Sequence, residues 1–185
     1  RLMIESRVVT HFLPEATGVD TLERLIGLEE KYHSDGAPLR RLAAVLDVTK
    51  EGLETVIETL RLSHLEAQYL MAMIVPKAPI TTTMTPEALK MRVYQSNNDR
   101  VRSQLLLNAA KTGAENALPA LYQLATAFQA PTLPVNGADV MDAGVAMGPD
   151  VGRILKKVES WWMDCDFKPG RTECLQQIKA LRTTK

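Results

Sequence analysis

Apolar residues recur along this chain at helical spacing, and proline or glycine cuts the pattern again and again. A chain written this way folds into many short helices. Leu22, Leu25, Ile26 and Leu28 form one buried stripe, which Asp20 or Thr21 is placed to cap. Past Gly36 and Pro38, the run Leu39, Leu42, Ala43, Val45 and Leu46 predicts a short amphipathic helix with Arg40 and Arg41 on another face. Thr49-Lys50-Glu51 opens a further helix carrying Leu53, Val56, Ile57 and Leu60. Ser63 followed by Glu66 has the spacing of a capping box, in which hydroxyl and carboxylate satisfy free backbone amides.

Segment 76–86, with Pro76, Pro79, Pro86 and four threonines, is the best internal boundary. Pro86 then suits a first helical turn. The pattern runs through Leu89, Met91, Val93 and Tyr94, restarts at Asn97 or Asn98, and continues through Val101, Leu105, Leu106 and Ala109 to Gly113. Further helices are predicted over 116–129, 139–143, 149–163 and 171–181, and Leu2, Ile4, Val8, Val9 and Phe12 read as the end of one that stops near Pro14. The expected fold is all-α: a helical bundle of about nine to eleven helices in two packed subdomains.

Composition agrees, since aromatics make up only 5% of the chain and helix-favouring residues abound. Zero formal net charge argues against a uniformly basic nucleic-acid binder, but the distribution is uneven. Residues 92–111 carry four Lys/Arg against one acid, and residues 151–185 carry eight against four. Local basic patches bind phosphate even on a neutral chain. The alternative is a solvated helix face, with Asp99 paired to Arg102 three residues on.

Cys165 and Cys174 lack the companions of a zinc site or a disulfide framework and read as free thiols in a reducing cytoplasm. No apolar run reaches the roughly 20 residues of a membrane span. The start at Arg1, inside an apolar-periodic stretch and without a signal peptide, leads us to expect a fragment of a longer protein.

Catalytic machinery is not evident. His11, His33 and His64 are scattered, and no metal site is expected from them. The pairs Asp139/Asp142 and Asp164/Asp166 lack the scaffold of a two-metal centre. The turn Gly148-Pro149-Asp150-Val151-Gly152 has more to offer. Its helix N-terminus presents amides to a phosphate, Gly152 removes bulk, and Arg153, Lys156 and Lys157 follow within about a turn. Asp150 opposes an anion there, and a tight helix hairpin with Gly152 used for packing is the other reading. Trp161 and Trp162 point about 100° apart, so one is expected in the core and the other over a seam between helices.

The block Leu133-Pro134-Val135-Asn136-Gly137-Ala138-Asp139-Val140, with Gly144, Gly148-Pro149 and Gly152, resembles the C-terminal part of bacterial class II CCA-adding tRNA nucleotidyltransferases and poly(A) polymerases. Leu13-Pro14-Glu15-Ala16, the stretch Pro38 to Leu46, Leu60-Arg61-Leu62-Ser63 and Asp99-Arg100 are similar to neck and body segments in the same order. Trp161-Trp162 and Asp166-Phe167-Lys168-Pro169 resemble the alphaproteobacterial branch.

The resemblance implies the end of the neck and a first body subdomain over 1–78, second body helices over 79–132, and a helical tail over 133–185. It also implies a cytoplasmic protein that holds the acceptor–T arm of tRNA while an absent N-terminal head, using Mg²⁺ with CTP and ATP, adds CMP and AMP. The head and neck signatures do not occur in this sequence, so no catalytic residue transfers and the chain alone is expected to be inactive. The expected RNA contacts are Arg92, Arg100, Arg102, Gly148, Gly152, Arg153, Lys156 and Lys157, with Lys168 and Arg171 secondary. DNA and membranes are not expected partners. A poly(A) polymerase parent, or a helical protein-interaction or oligomerisation module forming a homo-oligomer, are the alternatives.

Overall fold

Helical throughout, as the residue pattern demands, the computed structural model describes residues 11–183. Ten helices occur among them: α1 Val19–Lys31, α2 Pro38–Val45, α3 Lys50–Thr59, α4 His64–Ile74, α5 Pro86–Gln95, α6 Asn98–Thr112, α7 Leu118–Ala127, α8 Gly137–Asp142, α9 Pro149–Asp164 and α10 Arg171–Thr183. The helix expected to stop near Pro14 is described only at its end, where His11 and Phe12 are helical and the helix has stopped by Leu13; Leu2, Ile4, Val8 and Val9 lie outside the described residues.

Several starts are fixed by side chains that accept from free amides of the first turn. Thr49 caps α3, Ser63 and Glu66 form the capping box of α4, Thr85 caps α5 ahead of Pro86, and Asn97 caps α6. Gly113 ends α6 in the left-handed region at φ 72°. The start of α1 departs from expectation, with Gly18 rather than Asp20 or Thr21 at the cap position. Gly18 N–H donates to Val45 O at 2.8 Å, and a Cβ there would collide with the Ala44 carbonyl. Backbone contact with the end of α2, reinforced by an isolated bridge between Ala16 and Leu46, sets this start.

The described residues gather into two compact units, the first ending at Ala127 and the second beginning at Phe128. In the first, α6 is the central element and packs on α1, α2, α5 and α7. Its run Leu105-Leu106-Leu107 with Ala109 and Ala110 is buried on nearly every face, as an all-round apolar helix must be. Each fully buried leucine there contributes about 1.5–3 kcal/mol. Segment 76–86 belongs to this unit and is tied to α6 by the Thr82 N–H, which donates to Asn108 Oδ1 at 3.0 Å.

Two charged side chains, Glu29 and Arg40, are buried in that core. Arg40 is only 3% exposed. Its Nε donates to Glu29 Oε1 at 2.8 Å, Nη1 to Ser103 Oγ at 3.0 Å, and Nη2 to Asp35 O at 2.6 Å. Arg41, half exposed, donates to the other Glu29 oxygen at 2.8 Å. Helix α2 packs on α1, α4 and α6, so little of it is left to carry a solvated arginine pair.

The second unit is built on α9 and α10, with Val140, Val158, Trp162, Cys174 and Ile178 in its core. Trp162 Nε1 donates to Pro169 O at 2.9 Å, and its ring meets Phe167 edge-on at 5.1 Å. That contact accompanies left-handed backbone at Asp166 and Phe167, φ 55° and 61°. Both cysteines are free.

Replacing Arg40 by Met should cost about 3 kcal/mol, because Glu29 stays buried with only Arg41 to answer its charge. The double variant Glu29→Gln/Arg40→Met should recover part of that loss. Urea midpoints followed by helical circular dichroism measure both, and an Arg40→Met midpoint at the wild-type value would contradict this role.

Candidate nucleic-acid interface

The corner between α5 and α6 brings two of the expected contacts together. Helix α5 stops at Ser96, whose Oγ donates to Arg92 O at 2.7 Å, and Asn97 restarts the chain by accepting Arg100 N–H at 2.8 Å. Arg92 in the last turn of α5 and Arg100 in the first turn of α6 therefore line one cavity of about 730 Å³. Lys50 and Lys77 join them on its wall, and Met71, Val75 and Ile80 give it an apolar side. Arg102 is not part of it; this residue pairs with Asp99, three residues back on α6.

In the second unit Gly148 precedes α9 with φ 157°, a backbone that side-chain-bearing residues rarely adopt, and Pro149 takes the first helical position. The carboxylate of Asp150 sits in the first turn and pairs with Arg153 at 2.8 Å, so the N-terminus already has an anion of its own. A Cβ added at Gly152 would meet nothing within 4 Å. Among the described residues no helix packs against Gly152, which removes the hairpin-packing explanation for it.

Beyond this turn Arg153, Lys156 and Lys157 are all exposed on α9. Arg153 and Lys157 line a depression with Arg182 of α10 and the 144–149 loop. The same basic residues continue, with Lys156 and Ser160, onto a shallower surface that includes Trp161. Trp162 is the core residue of the pair and Trp161 is half-buried at this open surface.

Lys168 and Arg171 have partners within the chain. Lys168 lies 3.8 Å from Asp166. Arg171 donates to Pro134 O at 2.8 Å and to both carboxylate oxygens of Asp139. Asp139 also receives the Asn136 N–H at 2.8 Å while Asn136 caps α8, so Arg171 clamps the 134–139 segment to the start of α10. The Asn136 amide first, and the Arg171 guanidinium second, hold the Asp139 carboxyl below its ordinary range.

Sequence reasoning missed Arg182, Lys50 and Lys77. A basic residue in the last turn of α10 was a usable signal for Arg182. Lys50 and Lys77 reach the cavity from a different helix and a loop, and no local pattern announces that. Among the described residues no group of three or more His, Cys, Asp or Glu side chains is placed to hold a metal ion. No helix there is long and apolar enough to cross a membrane. No protein-family model matches the sequence, and no curated protein is significantly similar to it.

Two outcomes follow from this geometry. Gly152→Ala, in a helix with open space around the site, should stabilise the second unit by about 0.5–1 kcal/mol. Asp139 has a lowered folded-state pKa, so its contribution is complete above the unfolded carboxylate value of about 4 and fades as pH falls through the lower folded value. Asp139→Asn should lower stability at neutral pH and flatten the response to acid below about pH 4. The only two tryptophans both lie in the second unit, so tryptophan fluorescence during urea unfolding reads this unit selectively. An unchanged acid response in Asp139→Asn would contradict the assignment.

Proposed function

We propose that this chain is the helical body and tail of a class II CCA-adding tRNA nucleotidyltransferase, and that it holds the tRNA backbone while a head domain outside this sequence extends the 3′ end. The observation that carries the reading is the exposed cation row of α9, Arg153, Lys156 and Lys157, running beside half-buried Trp161. Spacings of three and four residues place Lys156 and Lys157 about 4.5 and 6 Å beyond Arg153 along the helix axis, suited to contacting a phosphate backbone without reading bases. The order of the sequence segments that resemble that family supports the choice of RNA as the partner.

Catalysis belongs to the head on this reading. Mg²⁺, CTP and ATP would be bound there, and the described residues offer no donor cluster for the metal. What this chain supplies is position: an RNA end held near the reacting groups converts an encounter into an intramolecular step. A poly(A) polymerase parent would use the same helices on a different RNA end.

A second reading has an observation of its own. Met147 is 87% exposed beside Gly148, and Trp161 lies on the other side of Arg153 and Lys157, which gives α9 an apolar fringe suited to a second copy of the chain. Light scattering of wild type and Trp161→Ala separates the two readings, since only self-association predicts a mass that falls with the substitution.

Under the RNA-holding reading, Lys156→Ala and Lys157→Ala should each weaken binding to different tRNAs by a similar factor and reduce the slope of log affinity against log salt by about one. Arg102→Ala and Arg171→Ala should lower the slope less, because their charges are already answered by Asp99 and Asp139. A variant of the α9 row that altered tRNA preference while leaving the slope unchanged would count against backbone holding.

A further inference from the structure

The cavity at the α5–α6 corner has a composition that a plain phosphate contact does not require. Lys77, Arg92 and Arg100 line it together with Lys50, and no carboxylate does. Lys50 is the one partly answered, by Glu54 at 3.9 Å. Among the described residues Arg92 reaches only the neutral Gln95 Oε1, at 3.4 Å, and Lys77 and Arg100 have no ion-pair partner. The charge is complementary to an anion. A simple anion, however, has no use for the apolar wall of Met71, Val75 and Ile80.

Gln104 narrows the choice. Its side chain is 8% exposed and lies on the cavity wall, one helical turn beyond Arg100 on the same face of α6. Its Nε2 donates to Ala72 O at 2.6 Å, which fixes the amide and leaves Oε1 as an acceptor with no hydrogen bond among the described residues. Covering that oxygen with hydrocarbon costs about 1–3 kcal/mol, so a lipid tail is a poor occupant. A nucleobase suits it better, because the faces of the ring are apolar and an exocyclic amino group donates at the edge. A volume of about 730 Å³ is in the range of sites for ligands of this size.

We infer that this cavity takes one unpaired nucleotide of an RNA strand, with the base against Met71, Val75 and Ile80 near Gln104 Oε1, and the flanking phosphates on Arg92, Arg100 and Lys77. The inference rests on the RNA-holding reading for the claim that the nucleotide belongs to a strand. It adds a base-accepting pocket in the first unit to a role otherwise assigned to backbone contacts.

Methyl resonances of Met71 and Ile80 in the full chain are the readout, with AMP, CMP, ribose 5-phosphate and octanoate as separate probes. AMP or CMP should shift both methyls saturably, and ribose 5-phosphate and octanoate should bind roughly tenfold more weakly or not at all. Arg100→Ala removes a side chain that has no ion-pair partner among the described residues and should fold normally, yet weaken the nucleotide several-fold. Gln104→Leu should weaken the nucleotide and strengthen octanoate. In parallel, Arg100→Ala should weaken binding to a tRNA lacking its CCA end.

Octanoate binding as tightly as AMP and CMP would overturn the proposal in favour of an amphiphile site. Nucleotide binding with tRNA affinity unchanged in Arg100→Ala would overturn the assignment to an RNA strand. Binding of tRNA that depends on Lys156 and Lys157, with no methyl shift from any nucleotide, would sink the pocket and leave the RNA-holding reading standing. Absence of both would sink both.

Discussion

A guanidinium buried among three helices is the constraint on which the first unit depends. Arg40 of α2 engages Glu29 of α1 and Ser103 of α6, and its Nη2 donates to Ser34 Oγ and the Asp35 carbonyl in the loop between α1 and α2. Such a pair contributes little net stability compared with apolar residues of the same volume, because both charges lose their hydration. Its consequence is geometric. Serving Arg40 fixes the rotation of α6 about its axis, and Arg100 and Gln104 follow on a neighbouring face of the same helix. The cavity at the α5–α6 corner is thus lined by residues of a helix whose rotation the Arg40 contact at Ser103 fixes.

The second unit uses the same device with less burial. Arg171 joins the start of α10 to Asp139 and Pro134, and Trp162 anchors the turn at Pro169 through its indole N–H. These contacts spend some charged and aromatic groups on structure. What they leave is the outer face of α9, where Arg153, Lys156 and Lys157 stand exposed and Trp161 keeps part of its ring uncovered. Residues that look equivalent in a sequence of basic side chains thus divide into clamps within the fold and charges exposed on α9.

Signals carried within four residues were legible. Ser63 with Glu66, Thr85 with Pro86, Asn97 and Gly113 each mark a helix end through a hydrogen bond or a backbone angle that the residue itself dictates. The all-α class and the long α9 followed from the same local rules. Arg40 was not legible, since adjacent arginines on a short helix read as solvated until the helices packed around α2 are known. Gly18 was missed for a related reason: its role comes from the Ala44 carbonyl, distant in sequence. Of the basic residues, Arg92 and Arg100 were identified individually, whereas their meeting with Lys50 and Lys77 depends on tertiary placement.

Zero net charge is compatible with an RNA-holding protein when the cations are sorted in this way. Arg92, Arg100, Lys50 and Lys77 meet at one cavity without a carboxylate in its lining, and Arg153, Lys156 and Lys157 stand exposed along one helix. The most direct test of the central claim is fluorescence anisotropy of a labelled tRNA lacking its CCA end, titrated with the chain across a salt series beside an RNA duplex of equal charge. The account predicts salt-sensitive binding that favours the tRNA over the duplex at every salt concentration. Equal affinity for the two RNAs, or no binding at low salt, would contradict it.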